Sequence, residues 1–498
     1  VGVIQKQSAR QSIVGFVATA VGAISILLIY PLDITTYGTA IFIVTTAYFL
    51  FPFFSMGITN LTIKYFPQFE DKETNHNGLL PFLLISATAC FLIFTLIAYL
   101  FYDDLLGMLE SMHFESAKIR FYSSYIWVLS FFVIISTILT SYISNFNKIV
   151  VPHMINNLMP KILLPTLFYL FTLEYYSLKE LLTGIVVYHA IMTLSLAIYL
   201  KYLGHFSLRA NWSYLNVPLM RSMGVYALFG LLSAAGSVMA FRIDIIMITA
   251  LVGATGAGSY SILQFMANTI EIPTRSVFSI ASPIISSSVK ENNWDKIASL
   301  YKKSSINLLS VGIPLFLCLW LSIDDVIKLT PSYEELRPWV YIVLFIGLGK
   351  LTHMLFSVNN HIILFSNYYY VNLIGMLVLA VVNIILNFIL IPEYGILGAA
   401  LATLIAVILH SLLKCLFILI KFKIHPFSAK TIYLLALATG VYFAGYLIPS
   451  IDSAILSIAI RSIVMVSLYL LILIRFNIAP EIVETILKSY NKYFRKKQ

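Results

Sequence analysis

The chain has 498 residues, of which 60% are apolar and only 11% charged, with a formal net charge of +10. Soluble domains carry about 25% charged residues, so this composition excludes a soluble enzyme and describes a polytopic membrane protein. Cys90, Cys318 and Cys415 lie far apart in apolar stretches, which leaves neither a disulfide framework nor metal-ligand spacing, and the placement of the basic residues around apolar runs argues for a membrane surface and against nucleic acid.

Fourteen apolar runs are long enough to cross about 30 Å of hydrocarbon as helices. They cover 12–30, 39–62, 79–102, 119–143, 149–171, 180–200, 224–252, 258–283, 304–323, 338–362, 370–390, 397–420, 430–448 and 454–475. The first is read as a span and not as a cleaved leader. The end of the third run, Tyr102-Asp103-Asp104, recurs at the end of the ninth as Ile323-Asp324-Asp325. Glu174-Tyr175, before the sixth run, recurs before the twelfth as Glu393-Tyr394. These offsets of 221 and 219 positions predict an internal duplication. The expected fold class is all-α, with two pseudo-symmetric six-helix lobes over 1–200 and 201–423. A final helix pair over 424–475 and a basic tail over 476–498 complete the chain. Repeats with an even number of spans keep the same orientation, as in transporters that bind substrate between rocking halves.

With the N-terminus placed inside, the inner segments hold 21 of the 32 Lys and Arg and the outer segments 5. That asymmetry predicts a cytoplasmic location for both termini. In 481–494, apolar residues recur at helical spacing among Lys488 and Lys492, which predicts an amphipathic helix on an anionic inner leaflet or a solvated basic tail.

Several stretches carry a family resemblance. They include Ile272-Pro273-Thr274-Arg275 with Ala281-Ser282-Pro283, and Leu300-Tyr301-Lys302-Lys303-Ser304-Ser305. They also include Ser366-Asn367-Tyr368-Tyr369 with Ile391-Pro392-Glu393-Tyr394-Gly395-Ile396-Leu397-Gly398-Ala399-Ala400, and the opening Gly2-Val3-Ile4-Gln5-Lys6-Gln7-Ser8. Together these resemble the bacterial polysaccharide (O-antigen or capsule type) flippases of the multidrug/oligosaccharidyl-lipid/polysaccharide exporter superfamily. The resemblance implies two six-helix lobes around a central cavity with two extra helices beside them. It also implies movement of an undecaprenyl-pyrophosphate-linked oligosaccharide to the outer leaflet of the inner membrane. The expected partners are that lipid-linked oligosaccharide, the bilayer and a polysaccharide polymerase complex. No cofactor is expected, and an H+ or Na+ gradient is one energy source considered.

Charged groups inside a bilayer are costly and are kept for function or for a partner. Lys161, Arg242, Asp244, Glu271, Arg275 and Lys350 fall mid-span. Four cations against two anions would attract a pyrophosphate or an acidic sugar, so Arg275, Arg242, Lys161 and Lys350 are the expected substrate-binding residues, with Glu271 and Asp244 as counter-ions or coupling groups. Glu271 and Arg275 stand at i and i+4, a spacing that allows an ion pair across a bend at Pro273. Arg242 and Asp244 are two apart and face away from each other, so at least one needs a partner on another helix. Arg461 is expected to snorkel to the interface or to touch a lipid phosphate. The span histidines have no metal spacing and read as hydrogen-bonded interface residues. The competing readings are a cation-coupled drug exporter, a lipid II flippase, and a membrane polysaccharide polymerase or ligase. The last would need more than the outer loops of about 16 residues at 103–118 and 324–337.

Overall fold

The computed structural model describes residues 14–484, apart from 16, 56, 72–75, 105–106, 108–115, 147 and 450. The described residues contain no strand, as a chain in lipid requires, because only a helix satisfies its own backbone within one segment. Two compact units divide the chain at Ser261/Ile262. The first holds α1 (Val17–Leu32), α2 (Ile34–Ser55), α3 (Ile58–Phe69), α4 (Leu79–Leu100) and α5 (Ser116–Ser144). It continues with α6 (Val150–His153), α7 (Met159–Thr172), α8 (Leu178–Tyr202) and α9 (Val217–Leu251). The boundary falls inside α10 (Ala254–Asn268).

The second unit continues with α11 (Thr274–Lys290), α12 (Trp294–Leu321), α13 (Ile323–Lys328), α14 (Tyr333–Leu336) and α15 (Tyr341–Phe356). It ends with α16 (Asn359–Phe365), α17 (Tyr370–Tyr394), α18 (Ile396–Phe422), α19 (Ala429–Tyr446) and α20 (Ala454–Arg475). Each of the fourteen apolar runs is mainly helical where described. Nine described helices are long and apolar enough to cross a membrane unbroken, and the pair Tyr333–Trp339 and Tyr341–Phe356, bent by 51°, makes a tenth. The runs at 12–30, 39–62, 149–171, 258–283 and 338–362 are helical but interrupted.

Proline dictates three of those interruptions. It has no N–H to donate, and its ring crowds the carbonyl four residues back. Ahead of Pro31 the helix widens into a π turn over Ser25–Ile29, and ahead of Pro160 it does so over Met154–Leu158. Such turns shift the hydrogen-bond register without ending the helix. Ahead of Pro273 the turn tightens instead, into a 3-10 turn over Thr269–Glu271. The α2–α3 break has a different cause. Gly57 adopts the left-handed conformation, with φ 71°, and a Cβ there would strike the backbone of Ala227 and Leu231 on α9.

Between helices in lipid, packing replaces the hydrophobic drive, and small residues permit close approach. The run Gly395-Ile396-Leu397-Gly398-Ala399-Ala400 works in this way. A Cβ on Gly398 would collide with the Leu390 carbonyl of α17, and Ala399 and Ala400 are fully buried. In the first unit Phe54, Leu83, Leu129, Tyr142 and Leu196 share one core. In the second, α12 packs Leu309 and Phe316 with Leu434 of α19 and Tyr469 of α20. Glu174 and Gly395, each at the end of a helix, both take positive φ, 61° and 58°. After α20 the chain turns back at Asn477, and Glu481 meets Lys303 at 2.9 Å and Asn307 at 2.6 Å on α12. The rest of the basic tail, 485–498, lies outside the described residues.

Candidate functional site

In the first unit, α9 carries Arg242 and Asp244 on different sides, as their spacing requires. Arg242 is half-buried, with its guanidinium 4.9 Å from the centre of the Tyr48 ring on α2. Among the described residues it forms no ion pair. Asp244 is buried and accepts a hydrogen bond from the Tyr260 hydroxyl at 3.0 Å. Both residues therefore find partners on other helices, and in each case an aromatic side chain supplies one. Lys161 is half-buried in the first turn of α7, directly after the π turn. That widened turn also sets Asn156 against Thr140 of α5, at 2.8 Å.

In the second unit, the ion pair that the spacing of Glu271 and Arg275 allows is not formed. The 3-10 turn ending at Glu271 and the break at Pro273 change the angular register between them. Glu271 turns to α15 instead. One carboxylate oxygen accepts from Lys350 at 2.7 Å, and the other lies 2.8 Å from Nδ1 of His353. Lys350 and His353 stand three apart, so one face of α15 presents both. Lys350 therefore enters the bilayer with its charge matched, whereas Arg275 is exposed in the first turn of α11. Nothing in the sequence singles out His353 among the span histidines, since no spacing rule links it to Glu271, 82 positions earlier.

Arg461, read from the sequence as a residue for the interface or a lipid phosphate, is committed to protein. Its guanidinium lies 3.3 Å from Asp325 and donates to the carbonyls of Leu321 at 2.7 Å and Ile448 at 3.2 Å. Asp325 is not the solvated helix end that its position suggests; it is 1% exposed. It also accepts from Ser457 at 2.6 Å and from Lys328 at 3.2 Å. Burial by itself would raise its carboxyl, and the Ser457 hydroxyl, Lys328 and Arg461 outweigh it and hold the group below its usual value. This cluster ties α20 to α13.

Lys414 is absent from the sequence candidates. It sits near the inner end of its run, within reach of the interface for a snorkelling side chain. The structure turns it inward: it is 3% exposed and donates to the Asn360 side chain at 2.5 Å. Gly375 makes the room, since a Cβ there would lie 2.9 Å from the lysine stem. Among the described residues no group of three or more His, Cys, Asp or Glu is placed to hold a metal ion.

These elements match known structures along most of the chain. The lipid II flippase MurJ in an inward closed conformation superposes with a TM-score of 0.72 at 15% identity, over 93% of this chain and 97% of that one. The chain has this fold. A multidrug resistance transporter of the MATE family, from the MOP superfamily, follows in its inward-facing form at TM-score 0.58 and 13% identity, over 83% of this chain and 94% of that one. An outward-facing MATE transporter gives 0.53 at 10% identity, over 84% and 95%. No protein-family model matches the chain, and no curated protein sequence matches it. The fold is thus one that a lipid II flippase and MATE transporters also adopt, and the helices make the chain a multi-pass membrane protein.

Proposed function

We propose that this protein is a flippase that carries an undecaprenyl-pyrophosphate-linked oligosaccharide from the cytoplasmic to the outer leaflet of the inner membrane, for surface polysaccharide synthesis. The observation that carries the reading is Arg242. It is an arginine inside a membrane span, held on the face of Tyr48 and in no ion pair among the described residues. An aromatic face fixes a cation without cancelling its charge, so the charge stays available to a phosphate, which arginine grips in a forked geometry. Arg275, exposed on α11, is assigned the same role. Lys161 and Lys350 are assigned to substrate binding, with Glu271 as the counter-ion of Lys350. Asp244 is a counter-ion or coupling group for H+ or Na+. Alternating access moves the head group while the lipid tail stays in the bilayer. The chain acts by transport, without a catalytic residue.

The test is a leaflet assay in cells lacking the gene. Lipid-linked oligosaccharide should accumulate in total and stay inaccessible to a lectin added outside. Complete but unpolymerised repeat units on the outer face would favour a polymerase or ligase instead. Stalled lipid II would name a lipid II flippase, and undisturbed lipid-linked sugars with lost resistance to cationic dyes would name a drug exporter.

A further inference from the structure

We propose that Lys64, Tyr65, Ser222 and Tyr226 form a second anion-binding station in the first unit, which takes the diphosphate of a polyprenyl-linked sugar at the opposite end of α9 from Arg242. The proposal rests on the flippase reading and adds to it the place where the substrate first docks.

Lys64 on α3 holds its ammonium 3.8 Å from the centre of the Tyr226 ring on α9 and 5.5 Å from that of Tyr65. The hydroxyls of Tyr65 and Ser222 share a hydrogen bond of 2.7 Å. Tyr65 is buried and forms the floor, while Lys64 and Ser222 are exposed. Close backbone contact of Gly57 with Gly230 sets the register of α3 on α9 and so seats Lys64 over Tyr226. Among the described residues no carboxylate pairs with Lys64.

The same chemistry thus occurs twice along one helix. Arg242 lies on Tyr48 and Lys64 on Tyr226. Tyr226 and Arg242 are sixteen positions apart on α9, about 24 Å along a helix, close to the thickness of the hydrocarbon core. Both cations lie on rings that orient them and leave their charge unspent. A lysine supplies a point charge for phosphate oxygens, and the bonded hydroxyl pair beside it keeps one O–H free to donate. The bias of Lys and Arg assigns this end of α9 to the cytoplasm, the side on which a lipid-linked sugar would dock.

The experiment uses the full chain in phosphatidylcholine nanodiscs, with undecaprenyl diphosphate as the probe and intrinsic fluorescence as the readout. Lys64→Ala should weaken binding about tenfold, Lys64→Arg should restore most of it, and Tyr226→Leu should weaken it severalfold, all with unchanged melting temperatures. Arg209→Ala, an exposed cation outside the station, should bind like the parent. Inorganic pyrophosphate should compete with the probe, since the phosphates are what the station recognises. Parent-like binding by Lys64→Ala overturns the station, as does an equal response to phosphatidylglycerol discs without the probe, which would mark a general bilayer headgroup site. Flipping is measured separately on the same variants. A parent that binds through Lys64 but flips nothing sinks the transport reading and keeps the station. A Lys64→Ala protein that binds and flips normally does the reverse.

Discussion

Gly38 and Gly258 meet backbone to backbone within the first unit, although 220 positions separate them. A Cβ on Gly38 would strike the Ala254 carbonyl, and a Cβ on Gly258 would strike the Ile34 carbonyl. Ile34 and Ala254 are themselves 220 apart, and so are Thr35 and Thr255, whose hydroxyls share a hydrogen bond of 2.8 Å. Equivalent positions touching each other are what a two-fold relation between α2 and α10 produces at its axis. The first turns of the two helices can approach this closely only because both crossing residues lack a side chain.

That crossing predicts a graded response to added bulk. Gly38→Ala should lower stability by about 1–3 kcal/mol, as overpacking does, and Gly38→Val should lower it further. Gly258→Ala should behave like Gly38→Ala. Thermal unfolding of the purified variants in detergent reads the effect. A neutral Gly38→Val would mean that the two helices do not cross at this point.

The Asp325–Arg461 pair predicts unequal single variants. Asp325→Ala leaves a buried guanidinium without its carboxylate and should cost on the order of 3–5 kcal/mol. Removing both charges, as Asp325→Leu with Arg461→Met, should recover part of that loss, because two desolvation costs vanish together. Melting temperatures of the three proteins measure the difference.

The same carboxyl predicts a pH dependence. Asp325 is held below its usual value in the folded protein, so its contribution is present above its unfolded value of about 3.9 and fades as pH falls through the folded value. The gap in melting temperature between the parent and Asp325→Asn should be full near neutrality and narrow below about pH 4. A gap that widens on acidification would contradict the depressed carboxyl.

Glu271 separates charge matching from transport. Glu271→Gln leaves Lys350 and His353 facing a neutral group, and protein levels should fall. Glu271→Gln with Lys350→Met should restore levels without restoring surface polysaccharide. Lys350→Ala by itself should also lower levels, since Glu271 would keep only His353. Immunoblotting beside polysaccharide staining distinguishes the two effects.

Arg242→Ala and Arg275→Ala should instead abolish surface polysaccharide with normal protein levels, because neither residue is tied to a buried carboxylate. Arg242→Lys should retain part of the activity, since a lysine can rest on the Tyr48 face but cannot fork around a phosphate. Normal polysaccharide in both alanine variants would remove these cations from the transport path.

The sequence by itself determined the class and the apolar runs. Those properties are written in composition and in local runs of side chains, and a bilayer leaves a helix as the only solution for each run. It also determined which spans carry charge, because an ionisable residue inside an apolar stretch is conspicuous wherever it points. Even the interruptions at Pro31, Pro160 and Pro273 have local causes, although the kind of turn before each proline was not legible. Tertiary structure decided the partners. Glu271 lies four positions from Arg275 and 79 from Lys350, yet a single tightened turn gives it to Lys350. Asp325 and Arg461 are 136 positions apart, and Lys414 reads as a snorkelling lysine until Gly375 opens a place for it. Pairing depends on which helix faces are brought together. That is a property of packing across the bundle, and no periodicity within one helix encodes it.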